Sequence, residues 1–152
     1  GGHVTVDYDK TDCCGCGNKG CLEQYASATG IVRIAKKKLA DNTKATVLNA
    51  ETVTAKDVWD AVKAGDEVAM EVAEQFGKYL GSGLAIMAAV ADPAIFVIGG
   101  GVSKAGDILL SYVEKNYRER AFFAHKNAEF ALASLGNDAG IIGAAKLALD
   151  NQ

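Results

Sequence analysis

Four cysteines, Cys13, Cys14, Cys16 and Cys21, fall within one short segment interleaved with Gly15, Gly17 and Gly20. No other stretch of the chain restricts its fold so tightly. Glycine tolerates the positive φ angles needed to wrap backbone around a point, so Cys14, Cys16 and Cys21 can all face one centre. His3, upstream, can return as a fourth ligand. Three thiolates and one imidazole form a tetrahedral zinc set, and four protein ligands leave no open position for a metal-bound water. Such a site organises structure and performs no hydrolysis. Three other readings stand beside zinc: a redox pair, a disulfide, or unrelated cysteines. A Cys-x-x-Cys spacing occurs only from Cys13 to Cys16 and would strand the other two, and a disulfide fits poorly with a reducing compartment. Cys13 is the surplus thiol, expected to stay free because adjacent side chains diverge.

The remainder has the composition of one globular domain. With 152 residues, 49% of them apolar, and a single proline, the chain can bury roughly 68–70% of its unfolded surface without disulfide staples. Sixteen Lys and Arg against nineteen Asp and Glu give a net charge of −3, so no basic field recruits nucleic acid to this segment. The longest apolar stretch, near Leu84 to Val90, falls well short of the ~20 residues that span a bilayer. No basic-then-apolar leader precedes it, so a soluble, cytoplasmic chain with no membrane partner is expected. Gly1-Gly2-His3 lacks an initiator methionine and runs into a strand-like Val4-Thr5-Val6, as a piece of a longer chain would.

Periodicity predicts a series of helices and strands. Ala28, Ile31, Val32, Ala35 and Leu39 recur at helical spacing and predict a helix from about Leu22 to Ala40. Lys36-Lys37-Lys38 at its end reads as a solvated last turn opposing the helix dipole. A loop or short strand is expected around Thr46-Val47-Leu48. Thr54 with Asp57 resembles a capping box for a short helix to Ala64, stopped by Gly65. Val68, Val72, Phe76, Leu80, Leu84, Met87 and Val90 mark one face of a long central helix from about Asp66 to Asp92-Pro93. Met87 reads as core filling. Gly77, Gly81 and Gly83 each weaken that helix by roughly 1 kcal/mol, which predicts close approach of another backbone or a ligand. The apolar run Ala94 to Ile98 predicts a parallel strand covered on both faces. A helix from Gly106 to Arg120, a buried strand from Phe130 to Ala133, and a helix from Ala139 to Leu149 capped by Asn137-Asp138 complete the chain. The strand–helix–strand–helix order predicts an α/β domain with parallel strands and right-handed crossovers.

Gly99-Gly100-Gly101 follows the first of these strands, at the carboxyl edge where open α/β sheets bind ligands. It matches neither G-x-G-x-x-G nor a P-loop, since Asp107-Ile108 stands where Lys and Ser or Thr are required. A plain tight turn explains it equally well.

His3 with the run Cys14-Gly15-Cys16-Gly17-Asn18-Lys19-Gly20-Cys21-Leu22-Glu23, then Ala26-Ser27-Ala28-Thr29-Gly30, resembles the motif of the ROK family of bacterial sugar kinases and sugar-responsive repressors. The register is most like that of the family's glucokinases, and Gly99-Gly100-Gly101-Val102-Ser103 resembles the family's adenosine-side turn. The resemblance covers essentially the whole chain. It implies an actin-like, RNase H-like ATPase fold of two lobes, in which residues 1–152 are most of the carboxyl-terminal lobe, with the zinc knot at 3–23 and the amino-terminal lobe absent. It also implies transfer of phosphate from ATP, accompanied by Mg, to the 6-hydroxyl of glucose or a related hexose, in a homo-oligomer. The matching residues would be His3, Cys14, Cys16 and Cys21 for structural zinc, His3 and Glu23 for the sugar, and Gly100 and Gly101 for the nucleotide. Without the resemblance, Glu23 reads as a first-turn acid facing a helix dipole. The family's Asp-x-Gly-Gly-Thr phosphate loop and its general-base aspartate have no counterpart here, so no catalytic residue is expected in this chain and it should be inactive alone. The runner-up is the ligand-binding lobe of a ROK-type repressor, and a third reading is a purely structural zinc module.

Overall fold

A computed structural model describes residues 1–9, 13–135 and 138–150. The described residues form five α-helices and a two-stranded parallel sheet: α1 (Ala28–Ala40), α2 (Ala55–Lys63), α3 (Glu67–Ala91), β1 (Ile95–Ile98), α4 (Asp107–Arg120), β2 (Glu129–Leu132) and α5 (Ala139–Asp150). None of the described helices is long and apolar enough to cross a membrane.

The central helix α3 begins where the Asp66 carboxylate accepts the Ala69 N–H at 2.9 Å, and it ends at Asp92, which takes a left-handed conformation (φ 43°) before Pro93. Val68, Val72, Phe76, Leu80 and Leu84 are buried along it as expected, but Val90 is 88% exposed. The buried positions step by four from Val68 to Leu84, and Ala88, fully buried, continues that series; Val90, two residues further on, points about 160° away around the helix. Met87 packs partly buried against the core.

The glycines of α3 mark close contacts. A Cβ on Gly77 would lie 2.7 Å from the Tyr112 carbonyl oxygen, and one on Gly81 would lie 2.7 Å from the Tyr117 nitrogen, both on α4. A Cβ on Gly83 would meet the Leu22 side chain at 2.5 Å. Between the two helices Asn116 is fully buried, and its amide donates to the Tyr112 carbonyl at 2.9 Å and to Glu74 at 3.2 Å. The buried amide is thus satisfied.

In α2, the Asp57 N–H donates to the Thr54 hydroxyl and the Thr54 N–H donates to the Asp57 carboxylate, completing the capping box. Gly65, at φ 83°, stops the chain behind it. The helix expected from Leu22 is broken. Leu22–Gln24 forms a single 3₁₀ turn, and α1 starts only after Ser27, whose hydroxyl accepts the Gly30 N–H at 3.0 Å. A strong cap residue inside an apolar pattern restarts the helix at that point. Residues 46–48 form no strand. The Val47 N–H instead donates to the Asp66 carboxylate at 2.9 Å.

β1 and β2 pair in parallel, with Ile95 opposite Glu129 and Ile98 opposite Leu132. Phe96 and Phe130 pack on the Tyr117 ring of α4, at centroid distances of 5.4 and 5.2 Å. The apolar run predicts β1 covered on both faces, yet Ile95 and Val97 are 45% and 59% exposed. Only the α4 side of this strand is covered by described residues. β2 is partly buried, and α5 buries no side chain. The expected cap at Asn137 lies outside the described residues.

Candidate metal centre and the adjoining turn

The cysteine segment is held by an antiparallel pairing with the chain's first residues. The Leu22 N–H donates to the Val4 carbonyl at 2.8 Å, the Val6 N–H to Gly20 at 2.9 Å, and the Glu23 N–H to Gly2 at 2.8 Å. Val4-Thr5-Val6 forms only an isolated bridge, Thr5 with Cys21, but that pairing sets His3 beside Cys21 and Glu23. Gly20 makes the approach possible: its φ is +67°, and a Cβ there would collide with the Asp7 carbonyl. Within the loop, the Cys14 N–H donates to Asn18 at 2.7 Å and the Gly17 N–H to Cys14 at 2.9 Å.

This wrapping brings one ligand atom each from His3, Cys14, Cys16 and Cys21 within 4.8 Å of one another. His3 Nδ1 lies 3.6 Å from Cys14 Sγ, and Cys16 Sγ lies 3.6 Å from Cys21 Sγ. A tetrahedral ion with ~2.3 Å bonds to sulfur would hold its sulfurs ~3.8 Å apart, so the cluster has the span of such a site. None of the four cysteines is disulfide-bonded; Cys14 and Cys21 are buried, and Cys13 is exposed and outside the cluster. A hydrogen bond from the Cys16 backbone, followed by one from the Gln24 side chain, lowers the Cys14 thiol to about 6. Burial, reinforced by the Cys16 and Cys14 thiols, pushes Cys21 up to about 12. Gathering thiolates around a buried, reluctant thiol is costly unless a cation sits among them, so the donor set suits a metal ion.

Glu23 Oε2 stands 3.6 Å from His3 Nδ1, and the two side chains are 58% and 57% exposed. They form an open pair of polar groups beside the cluster. Glu23 belongs to the 3₁₀ turn and precedes α1 by several residues, so it is not a first-turn acid of that helix. Elsewhere in the same segment, the Tyr79 hydroxyl donates to Asp7 at 2.8 Å, and the Tyr79 ring stacks on Tyr25 with centroids 4.1 Å apart. This tether from the knot segment to α3 joins residues far apart in sequence, with no motif to announce it.

Gly100, at φ 77°, turns the chain out of β1 into a short 3₁₀ segment, Gly101–Ala105. The Ser103 hydroxyl closes the turn by donating to the Gly100 carbonyl at 2.8 Å. A Cβ on Gly101 would sit 3.5 Å from the Cβ of Ala28, the first residue of α1. The turn therefore abuts the helix that leaves the knot. Gly101 also borders a hollow of about 420 Å³ with Lys56, Lys63 and Lys104 on its rim.

The ROK family model matches residues 1–151. A glucokinase of Halalkalibacterium halodurans is 42% identical over 147 residues, which cover 93% of this chain and 44% of that protein. The DNA-binding transcriptional repressor Mlc of Escherichia coli is 34% identical over 125 residues, covering 82% of this chain and 30% of the repressor. The crystal structure of a ROK family glucokinase from Streptomyces griseus in complex with glucose and AMPPNP superposes with a TM-score of 0.85 at 34% identity, over 96% of this chain and 49% of that one. The chain thus spans about half the length or less of these relatives. With the family model matching nearly end to end, this chain belongs to the ROK family.

Proposed function

We propose that the chain is the carboxyl-terminal lobe of a bacterial glucokinase, whose whole protein transfers the γ-phosphoryl group of ATP, accompanied by Mg²⁺, to the 6-hydroxyl of glucose. The observation that carries this reading is the convergence of His3, Cys14, Cys16 and Cys21 with Glu23 open beside it, in a chain 42% identical to a glucokinase. Zinc bound by these four residues would supply a closed structural centre and no reacting group. It would fix the loop and orient the imidazole. With His3 Nδ1 turned toward the thiols, Nε2 is the ring nitrogen left to meet a sugar hydroxyl. The Glu23 carboxylate accepts hydrogen bonds from neighbouring hydroxyls. Gly100 and Gly101 line the nucleotide side, where the absence of Cβ atoms lets a ligand approach the backbone, and the nearby lysines complement phosphate charge. The phosphate loop and the general base belong to the amino-terminal lobe.

Native mass spectrometry of the chain tests this proposal. One zinc per chain, lost in Cys16→Ser, is expected. Glucose binding to the zinc-loaded chain should weaken roughly 10-fold or more in Glu23→Gln with zinc retained, as befits a hydrogen bond to a charged group. A folded, reduced chain without zinc would overturn the centre, and glucose binding indifferent to Glu23→Gln would overturn the sugar site. ATP-dependent glucose phosphorylation by the chain alone would overturn the placement of the base.

A second reading has its own support in the 34% identity to a transcriptional repressor. There the same lobe senses sugar for an upstream helix-turn-helix. The sequence preceding Gly1 separates the two, since a phosphate loop marks the kinase and a helix-turn-helix the repressor.

A further inference from the structure

A trough of about 640 Å³ lies between α1 and α3, closed at one end by the loop after α1 and at the other by Tyr25 and Tyr79. Its volume is that of a small-molecule site. Four cations border it, Arg33, Lys37, Lys38 and Lys44, against two carboxylates, Asp41 and Glu71. The local balance is therefore positive on a chain whose net charge is −3.

The helix dipole accounts for only part of this. Lys37 and Lys38 are in the last turn of α1 and oppose its negative end. Arg33 stands in the middle of α1 and Lys44 in the following loop, so neither serves that role. Nor is the run Lys36-Lys37-Lys38 simply solvated, because Lys38 reaches across to Glu71 on α3. Lys44 holds the other oxygen of the same carboxylate at 2.6 Å. Glu71 thus fixes two ammonium groups at the rim, and Glu67 stands 3.5 Å from the Lys44 ammonium as a second partner. Arg33 donates to the Gln24 carbonyl and side-chain oxygens and to no carboxylate among the described residues, and Lys37 likewise has no ion-pair partner there. Two further cations are left to meet a ligand.

The opposite end of the trough differs in chemistry. The half-buried Tyr79 ring, backed by Tyr25, offers an apolar wall, while Gln75 on α3 supplies a neutral amide and Thr43, in the loop at the cationic end, a hydroxyl; the Asn42 side chain is spent on the Lys44 backbone. Clustered ammonium groups and a guanidinium recognise a phosphate dianion through charge-assisted bonds. An aromatic wall with amide and hydroxyl neighbours suits a hydroxylated ring. We propose that the α1–α3 trough binds a phosphomonoester carried on a hydroxylated ring, separately from the His3–Glu23 pair. Sugar phosphates and nucleoside monophosphates both carry this chemistry.

Isothermal titration calorimetry of the zinc-loaded chain, with glucose 6-phosphate and AMP as parallel probes, tests the proposal and separates the two sources. Saturable binding of at least one probe is expected, weakened about 10-fold or more by Lys37→Ala and by Arg33→Ala and unchanged by Glu23→Gln. Inorganic phosphate should bind more weakly than the phosphorylated probe, and glucose binding should be indifferent to Lys37→Ala. Amide chemical shifts of the unmodified chain should move at Lys37, Asn42 and Gln75, which keeps the test independent of how the variants fold. No binding at millimolar probe would overturn the proposal, and so would inorganic phosphate binding as tightly as either ester. Loss with Glu23→Gln but not with Lys37→Ala would place the ligand in the sugar site and also overturn it.

Discussion

Gly81 is where helix propensity and packing make opposite predictions. In the interior of α3, replacing glycine by alanine gains about 1 kcal/mol from propensity alone. The new Cβ, however, would lie 2.7 Å from the Tyr117 nitrogen and 2.8 Å from the Asn116 carbonyl carbon. Both are backbone atoms of α4, flanked by the fully buried Asn116 and Tyr117 side chains, so neither can rotate aside. Overpacking of a closed core costs about 1–3 kcal/mol, and contact with backbone belongs at the upper end. Gly81→Ala should therefore destabilise the zinc-loaded chain by about 2 kcal/mol, lowering the melting temperature by about 4–8 °C for a domain of this size. Urea denaturation followed by tryptophan fluorescence reads it directly, since Trp59 packs edge-on against Phe76 of α3 at 5.8 Å. Gly83→Ala is the internal comparison. The three atoms nearest its Cβ all belong to the Leu22 side chain, which yields more readily than backbone, so its loss should be smaller than that of Gly81→Ala. A Gly81→Ala chain as stable as the parent would refute the claim that α3 and α4 touch backbone to backbone.

Thr54→Ala removes the hydroxyl half of the α2 capping box and should cost about 1 kcal/mol in urea denaturation, with Thr54→Ser recovering most of it. Equal stability of Thr54→Ala and the parent would show that the cap contributes nothing. Gly20→Ala should abolish zinc retention in native mass spectrometry while leaving the helical far-ultraviolet signal, because its Cβ collides with the Asp7 carbonyl; a zinc-loaded variant would contradict the geometry of the wrap. Glu71 contributes to acid behaviour: hydrogen bonds from Lys38 and then Lys44 lower its carboxyl from 4.5 to about 2. A depressed folded-state value contributes stability above the unfolded value that is lost as pH falls. The stability difference between the parent and Glu71→Gln should thus be full above about pH 4.5 and vanish toward pH 2, and a pH-independent difference would rule this out.

The local devices were legible because each is written within a few residues. Thr54 and Asp57 announce the α2 cap, Asp66 and Asp92-Pro93 bound α3, and the spacing of Cys14, Cys16 and Cys21 presents a ligand set before any fold is known. What escaped depends on distant residues. The break at Ser27 lies inside a continuous apolar pattern. Periodicity cannot distinguish one helix from a turn followed by a restarted helix; the capping hydroxyl and Gly30, where any Cβ would collide with the Tyr25 carbonyl, decide it. The Tyr79–Asp7 bond and the Lys38–Glu71–Lys44 bridge join segments whose proximity only the packed helices create.

The exposed face of β1 carries a different lesson. Ala94 to Ile98 is written as a strand buried on both sides, and that signal comes from the residues themselves, whatever lies around them. In the described structure α4 covers one side, while Ile95 and Val97 remain open and α5 displays Ile141 and Leu149 without burying a side chain. Apolar side chains at these positions are uneconomical on a surface that stays in water. They agree with the proposed function, in which this chain is one part of a protein about twice its length, the remainder of which can bury these elements. If so, substituting Val97 by a polar residue should barely alter the stability of this chain in urea. The same substitution should destabilise the whole protein by the about 1.5–3 kcal/mol of burying an aliphatic side chain. Equal effects in the two contexts would mean that the strand's apolar outer face has another cause.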